Sequence, residues 1–104
     1  MTSYIVFAGS GGGVAEFSYT AGYLDSLVDQ GILEGPVKSG EVWKPEDIGL
    51  LFRGDEGAKH ALQSMNLPER YVVFMAGVAD EERVERIAQQ ACQRFNLEHR
   101  VYDS

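Results

Sequence analysis

The sequence predicts a single α/β domain over residues 1–104, built as an α+β two-layer, ferredoxin-like βαββαβ arrangement. Two unbroken apolar runs, Tyr4–Ala8 and Tyr71–Ala76, indicate strands covered on both faces. A strand with one face in solvent would alternate between apolar and polar residues. An apolar stripe at helical spacing follows the second run, over residues 80–95, and a closing strand follows the stripe. The predicted order is strand, helix, a middle region, strand, helix and strand.

A glycine-rich loop joins the first apolar run to a helix. Four of the five residues from Gly9 to Gly13 are glycine, and the fifth is Ser10. Apolar side chains then recur at helical spacing as far as Gly31, a residue type that suits the position after a helix. These apolar positions are Phe17, Ala21, Leu24 and Val28. The pattern predicts a strand, a loop and a helix in that order.

The middle of the chain carries weaker signals. Glu34-Gly35-Pro36 is typical of a turn, and a short second strand is expected at Glu41–Lys44. Whether residues 41–53 form a strand or a helix stays open, because Ile48–Phe52 shows no clear period. A helical insertion at about residues 45–66 accounts for the remainder of this region.

Polar residues mark the ends of the later helices. Asp55 suits the N-cap of a helix over Glu56–Met65, and Asp80 suits the N-cap of the helix with the apolar stripe. Asn96 ends that helix. Leu97–Tyr102 then alternates in part between apolar and charged residues, which is typical of a strand at the edge of a sheet.

A small doubly wound parallel sheet accommodates the same order of elements. In both architectures we expect Tyr4–Ala8 and Tyr71–Ala76 to be parallel neighbours. Parallel strands end at the same edge of a sheet, so the glycine loop and the turn at Gly77–Glu82 should meet there. The length of the chain favours the ferredoxin-like form.

That edge is a candidate ligand site. Its candidate binding residues are Ser10, Gly11, Gly12, Gly13, Val14, Asp80 and Glu81. Free N–H groups at the loop and at a helix N-terminus attract an anion, and the carboxylates suit ribose hydroxyls. A nucleotide or another phosphate ligand fits this mixture. Neither the dinucleotide fingerprint nor the phosphate-loop motif is met, so the glycines also fit a simple tight turn.

Composition excludes several classes of function. The net charge of −7 argues against direct binding to nucleic acid backbones, which requires clustered Lys and Arg. No apolar run approaches the length of a membrane span, and the first residues lack a signal-peptide pattern. We therefore expect a cytoplasmic protein that does not bind membranes.

No set of residues predicts catalysis or metal binding. Cys92, the only cysteine, falls on the apolar stripe and is expected to pack in the core. His60 and His99 each lack a recognisable partner, and no spacing suits a metal. The lone Trp43 is expected to be a packing anchor. The sequence thus predicts no catalytic residue, no metal site and no cofactor.

These observations favour a small acidic, non-enzymatic interaction module that binds, and in one version inhibits, a larger protein partner. A nucleic-acid-binding protein is a candidate partner, because acidic side chains can imitate phosphates. Tyr19 and Tyr23 are expected to be exposed aromatics of the kind that interfaces enrich. The alternative is a nucleotide- or phosphate-binding protein that uses the loop at residues 9–14. A homodimer through the closing edge strand is a further expectation.

Overall fold

A computed structural model of the chain describes residues 3–10 and 14–103, with the backbone alone at residues 14 and 15. The elements in chain order are β1 (Ser3–Gly9), α1 (Val14–Asp29), β2 (Leu33–Val42), α2 (Glu46–Leu51), α3 (Glu56–Gln63), β3 (Tyr71–Val78), α4 (Glu81–Phe95) and β4 (Leu97–Asp103). The chain is an α+β protein whose helices pack on one sheet. The predicted α/β class is confirmed at this level.

The four strands form one sheet in the order β2-β3-β1-β4, and every neighbouring pair is antiparallel. The two long apolar runs are neighbours, as predicted, but Tyr4 lies opposite Gly77 and Gly9 lies opposite Val72. The predicted parallel pairing and the doubly wound alternative are therefore wrong. An apolar run shows only that both faces of a strand are covered, and inserted helices can cover the second face of an antiparallel sheet.

Two apolar clusters lie on the two faces of the sheet. Ile5 and Phe7 of β1 point to the first cluster, together with Phe74 of β3 and apolar residues of α1 and α4. Val6 and Ala8 point to the second cluster, where α2 and α3 pack. Every residue from Ile5 to Gly9 is buried, because helices cover both faces here.

The second strand differs from its prediction. β2 covers Leu33–Val42, so the expected turn at Glu34-Gly35-Pro36 lies inside a strand. The register of β2 against β3 shifts between Glu34 and Lys38, which is the signature of a bulge. Proline is tolerated at a bulge on an edge strand, since its missing N–H breaks no ladder there. Residues 41–53, for which the sequence left strand and helix undecided, contain both. They include the end of β2 and then α2, which lies within the predicted helical insertion.

Three predicted helix-end residues, Gly31, Asp55 and Asn96, lie at helix ends as predicted, whereas α3 ends at Gln63, two residues before the predicted Met65. The Asp55 side chain accepts a hydrogen bond from the Ala58 N–H at the start of α3. Asn96 ends α4 with a positive φ of 55°, and Gly31 follows α1 with a φ of 75°. These local signals do not depend on tertiary packing, because each one satisfies orphan groups of its own helix.

The closing strand lies at an edge of the sheet, as its alternating pattern predicts. Leu97 is buried, whereas Val101 is 40% exposed. Among the residues that the structure describes, no helix combines the length and the apolar character that crossing a bilayer requires.

Candidate functional site

The two halves of the predicted ligand site lie at opposite ends of the sheet. Because β1 and β3 are antiparallel, Ser10 follows the end of β1 that lies beside the start of β3. Asp80 and Glu81 follow the other end of β3, roughly 20 Å away at about 3.3 Å per strand residue. The prediction that the loop and these carboxylates share an edge is therefore wrong.

Asp80 and Glu81 have structural partners at their own end. Asp80 Oδ1 accepts hydrogen bonds from the backbone N–H groups of Glu82 and Arg83, each at 3.1 Å, as the N-cap of α4. The Ser3 hydroxyl donates to Glu81 Oε1 at 2.9 Å. The first carboxylate stabilises a helix, and the second anchors the start of β1 at the end of β3 opposite Ser10.

The three glycines at positions 11–13 lie outside the described residues, and Val14 is the first residue of α1. Ser10 is exposed, and its Oγ accepts a hydrogen bond from Nδ2 of Asn96 at 3.1 Å. This contact ties the end of β1 to the turn between α4 and β4. The role of the loop as a ligand site stays a prediction.

An exposed tryptophan lies at the same end of the sheet as Ser10. Trp43 is 54% exposed, and the Arg70 guanidinium carbon lies 4.5 Å from the centre of its ring. The indole Nε1 donates to Glu41 Oε2 at 3.0 Å. The prediction of a packing anchor is wrong, because the alternation of β2 turns Val42 inward and leaves the next side chain outside.

The backbone beneath Trp43 is held by one carboxylate. Asp47 Oδ2 accepts hydrogen bonds from the backbone N–H groups of Trp43 at 3.0 Å and Lys44 at 3.1 Å. These two hydrogen bonds lower the pKa of the Asp47 carboxyl below its ordinary value. A residue in the first turn of α2 thus holds the preceding turn, which carries the indole.

Two clefts border Ser10. One, of about 300 Å³, lies between Ser10, the segment Asn66–Pro68 and the start of β4. The other, of about 160 Å³, is lined by Ser10, Trp43 and Arg70 together with the first residues of β3. The second cleft brings a guanidinium, an aromatic ring, a hydroxyl and the Glu41 carboxylate together, and its guanidinium suits an anionic group of a ligand.

A cluster that the sequence prediction missed joins α4 to β4. Cys92 Sγ lies 3.4 Å from His99 Nδ1, and His99 Nε2 lies 3.5 Å from Glu85 Oε2. The prediction that His99 is isolated is wrong. Glu85 and Cys92 are seven residues apart, which is two helical turns and hence one face, and β4 packs beside that face. This spacing was the available signal.

The order of thiol, imidazole and carboxylate resembles the geometry of a nucleophilic site, but the thiol is not activated. Cys92 is half-buried, and burial, with a smaller contribution from the charge of Glu98, raises the pKa of its thiol to about 11. A nucleophilic cysteine requires the thiolate. We therefore interpret the cluster as a hydrogen-bonded contact between α4 and β4.

Comparison of the chain with protein-family models, with curated proteins and with solved structures finds no match.

Proposed function

We propose that this protein is a small acidic interaction module that binds a larger protein partner, with Trp43 and Arg70 at the centre of the contact. The exposure of Trp43 is the observation that carries the proposal. Burial explains most large aromatic side chains, and it does not explain this one. Tryptophan and arginine are also the residue types that dominate binding energy at protein interfaces.

The segment after β2 carries a second exposed apolar side chain. α2 has no buried residue, and its Leu50 is 71% exposed. An exposed indole and an exposed leucine in one short segment are typical of a docking surface. Ile48 and Leu51 pack in part against the second core cluster, so the segment is attached to the domain and can present these side chains in a fixed arrangement.

The charge of the chain indicates the kind of partner. With a net charge of −7, long-range attraction favours a partner with a basic surface. Glu41 and Glu46 are exposed and flank Trp43 in the sequence, so they can contact basic residues around an apolar centre. A nucleic-acid-binding protein has such a surface, and occupying that surface would inhibit it.

Capture of partners from the native host tests this proposal. We expect tagged wild-type protein to recover a partner that the Trp43→Ala variant does not recover. Tyr19→Ala is the matched control, because Tyr19 is 72% exposed on α1, a helix that packs on the opposite face of the sheet from α2. Equal recovery by the wild type and Trp43→Ala would place the contact elsewhere. Neither side chain is buried, so both variants should unfold at nearly the wild-type temperature.

A nucleotide or phosphate ligand at the loop is a second candidate function, supported by the cleft that Ser10 shares with Arg70. We expect ADP to shift the amide resonances of Ser10 and Val72, and we expect Arg70→Gln to weaken binding about tenfold. Gly12→Asp should abolish binding, since it adds a like charge to the site. Saturating ADP without these shifts would rule this candidate out.

For the fold, we propose a ferredoxin-like βαββαβ arrangement with α2 and α3 inserted between its second and third strands. The sheet order from the β4 edge is β4-β1-β3-β2, with antiparallel neighbours throughout, and this supports the proposal. α1 joins β1 to β2, and β3 lies between these two strands in the sheet. α4 joins β3 to β4, and β1 lies between them, as in the split βαβ unit of this fold.

Self-association through β4 and a cytoplasmic location also stay proposals. The edge position of β4 supports pairing with a second copy. Against it, Arg100 Nη1 donates to the His99 carbonyl at 2.8 Å and Nη2 donates to the Ser64 carbonyl at 3.3 Å, so one side chain occupies part of this edge. The molar mass in solution distinguishes a monomer from a dimer.

A further inference from the structure

A pocket of about 320 Å³ opens on the face of the sheet that α2 and α3 cover in part. Its walls and floor include Tyr4, Glu34, Lys38, Asp55, Met75 and Gly77. The pocket lies at the end of the sheet opposite Ser10, so neither function proposed above uses it. Its volume is at the lower end of the range for small-molecule sites.

The pocket exists because one cross-strand row lacks a side chain. Glu34, Gly77, Tyr4 and Tyr102 lie opposite one another across β2, β3, β1 and β4. Their side chains share a face, and Gly77 contributes none. The Glu34 side chain lies over Gly77, because a Cβ on Gly77 would be 3.2 Å from the Glu34 Cβ. Since adjacent strands are about 4.8 Å apart, the backbones that carry Glu34 and Tyr4 are separated by about 10 Å. That gap has room for one flat ring beside Tyr4.

The bulge in β2 forms one wall of the gap. Between the pairs Glu34–Gly77 and Lys38–Met75, β2 has three residues where β3 has one. The extra residues must leave the plane of the sheet, and Gly35 and Pro36 line the pocket. The wall is thus made of backbone and a proline ring, which lose little side-chain entropy when a ligand binds.

The opposite wall is aromatic and held in place. The rings of Tyr4 and Tyr102 stack with centres 5.7 Å apart and planes at 23°. The Tyr102 hydroxyl lies 3.2 Å from Asp55 Oδ2 and 2.9 Å from Met75 Sδ. α3 packs closely over this pair, because a Cβ on Gly57 would lie 2.8 Å from the Tyr102 ring. One face of Tyr4 is occupied by Tyr102, and its other face borders the gap.

Three charged side chains line the pocket, those of Glu34, Lys38 and Asp55. Asp55 is already engaged, since Oδ1 accepts from the Ala58 N–H at 3.0 Å and Oδ2 from Tyr102. Within residues 3–10 and 14–103, neither the Glu34 carboxylate nor the Lys38 ammonium has an ion-pair partner. Glu34 therefore offers an acceptor and Lys38 offers a donor on the same wall.

From this geometry we infer that the pocket binds an amino-substituted nitrogen heteroaromatic ring, the chemical class of adenine and cytosine. The ring stacks on the free face of Tyr4, between the Tyr4 ring and the Glu34 side chain that lies over Gly77. Its amino group donates to the Glu34 carboxylate, and a ring nitrogen accepts from the Lys38 ammonium.

Titration of adenine and of purine, followed by amide NMR, tests the inference. A ligand of adenine's size should bind with a Kd on the order of 1 mM, and we expect saturable shifts at Glu34, Met75 and Gly77. Purine has the same ring without the amino group, so it should bind roughly tenfold more weakly. Equal binding of the two, shifts confined to other residues, or no saturable shift would each overturn the inference.

Variants locate the binding within the pocket. Glu34→Gln should weaken adenine roughly tenfold and leave purine unchanged, whereas Glu69→Gln, at another exposed glutamate, should change neither. Tyr4→Leu should weaken both ligands by removing the stacking surface. Gly77→Ala fills the floor and should abolish binding, and its thermal unfolding shows whether it folds. Should it not fold, the Glu34 and Tyr4 variants decide, and an unchanged adenine Kd in both would overturn the inference.

Discussion

Gly9 and the carbonyl of Asn96 approach each other so closely that a Cβ on Gly9 would lie 2.5 Å from the Asn96 oxygen. Gly9 is the last residue of β1, and Asn96 is the left-handed cap between α4 and β4. Ser10, the next residue, accepts a hydrogen bond from the Asn96 side chain. The glycine that the sequence places at the start of a loop therefore allows a backbone contact with the turn before β4.

Gly9→Ala tests that contact. The added methyl group meets backbone atoms of Asn96 and Leu97, which cannot rotate away, so we expect a loss of about 2 kcal/mol or more in the free energy of unfolding. Gly22→Ala is the control, because a Cβ there meets nothing within 4 Å and Gly22 lies in α1. It should stabilise the protein by about 0.5–1 kcal/mol. Urea unfolding of both variants measures the difference.

Asp80 acts as a helix cap, and its replacement should show this. Asp80→Ala removes the acceptor for the Glu82 and Arg83 N–H groups and should cost about 1 kcal/mol of stability. Asp80→Asn keeps an acceptor and should retain most of the stability. Glu82→Ala, in the exposed first turn of α4, should cost only about 0.3–1 kcal/mol. If all three variants unfold alike, the capping role is refuted.

The Cys92 thiol should resist alkylation at neutral pH. Burial, followed by the Glu98 charge, raises its pKa to about 11 from an ordinary 9.0. The thiol is therefore protonated at pH 8, and iodoacetamide should react far more slowly than with a free thiol. The pH dependence of the alkylation rate should place the midpoint near 11, and Glu98→Gln should lower it. A midpoint at or below 9.0 would contradict the structure.

The same shift sets the sign of a pH effect on stability. The folded state holds the thiol proton more tightly than the unfolded chain, so this contribution is fully present below the ordinary pKa of the thiol. It is lost as the pH rises from about 9 towards 11. The loss is small because the thiol is only half-buried and solvent screens it. Cys92→Ala should therefore flatten the fall in stability at alkaline pH.

The single tryptophan reports its own surroundings. Trp43 should emit at nearly the wavelength of free tryptophan in water, and acrylamide should quench it efficiently, because its ring is 54% exposed. Arg70→Ala removes the cation over the ring and should cost about 0.5–1 kcal/mol at most. A blue-shifted emission that acrylamide does not reach would indicate a buried ring, and would remove the basis of the proposed docking surface.

Local signals in the sequence located most elements, and the direction of pairing was the main error. Asp55, Asp80 and Asn96 cap their helices through contacts within a few residues, so their sequence positions suffice. The apolar runs indicate burial on both faces and do not encode whether β1 and β3 are parallel. The predicted ligand site depended on that direction, and the antiparallel register moves Asp80 and Glu81 to the far end.

Contacts between distant segments were the other part that the sequence did not predict. The row of Glu34, Gly77, Tyr4 and Tyr102 depends on a bulge whose proline is also typical of a turn. Arg70 and Trp43 are far apart in sequence, and only the β2–β3 register brings them together. Such sites depend on the register between distant strands, and the apolar pattern along one strand does not show which residue of another strand it pairs with.

Fluorine NMR of fluorotryptophan-labelled protein tests the central claim most directly, since Trp43 gives the only tryptophan signal of this chain. The partner captured from the host is added unlabelled to the labelled protein. We expect the Trp43 resonance to shift and broaden in proportion to the complex formed, because the partner covers the ring. An unchanged resonance in a sample where sedimentation shows the complex to be formed would contradict it.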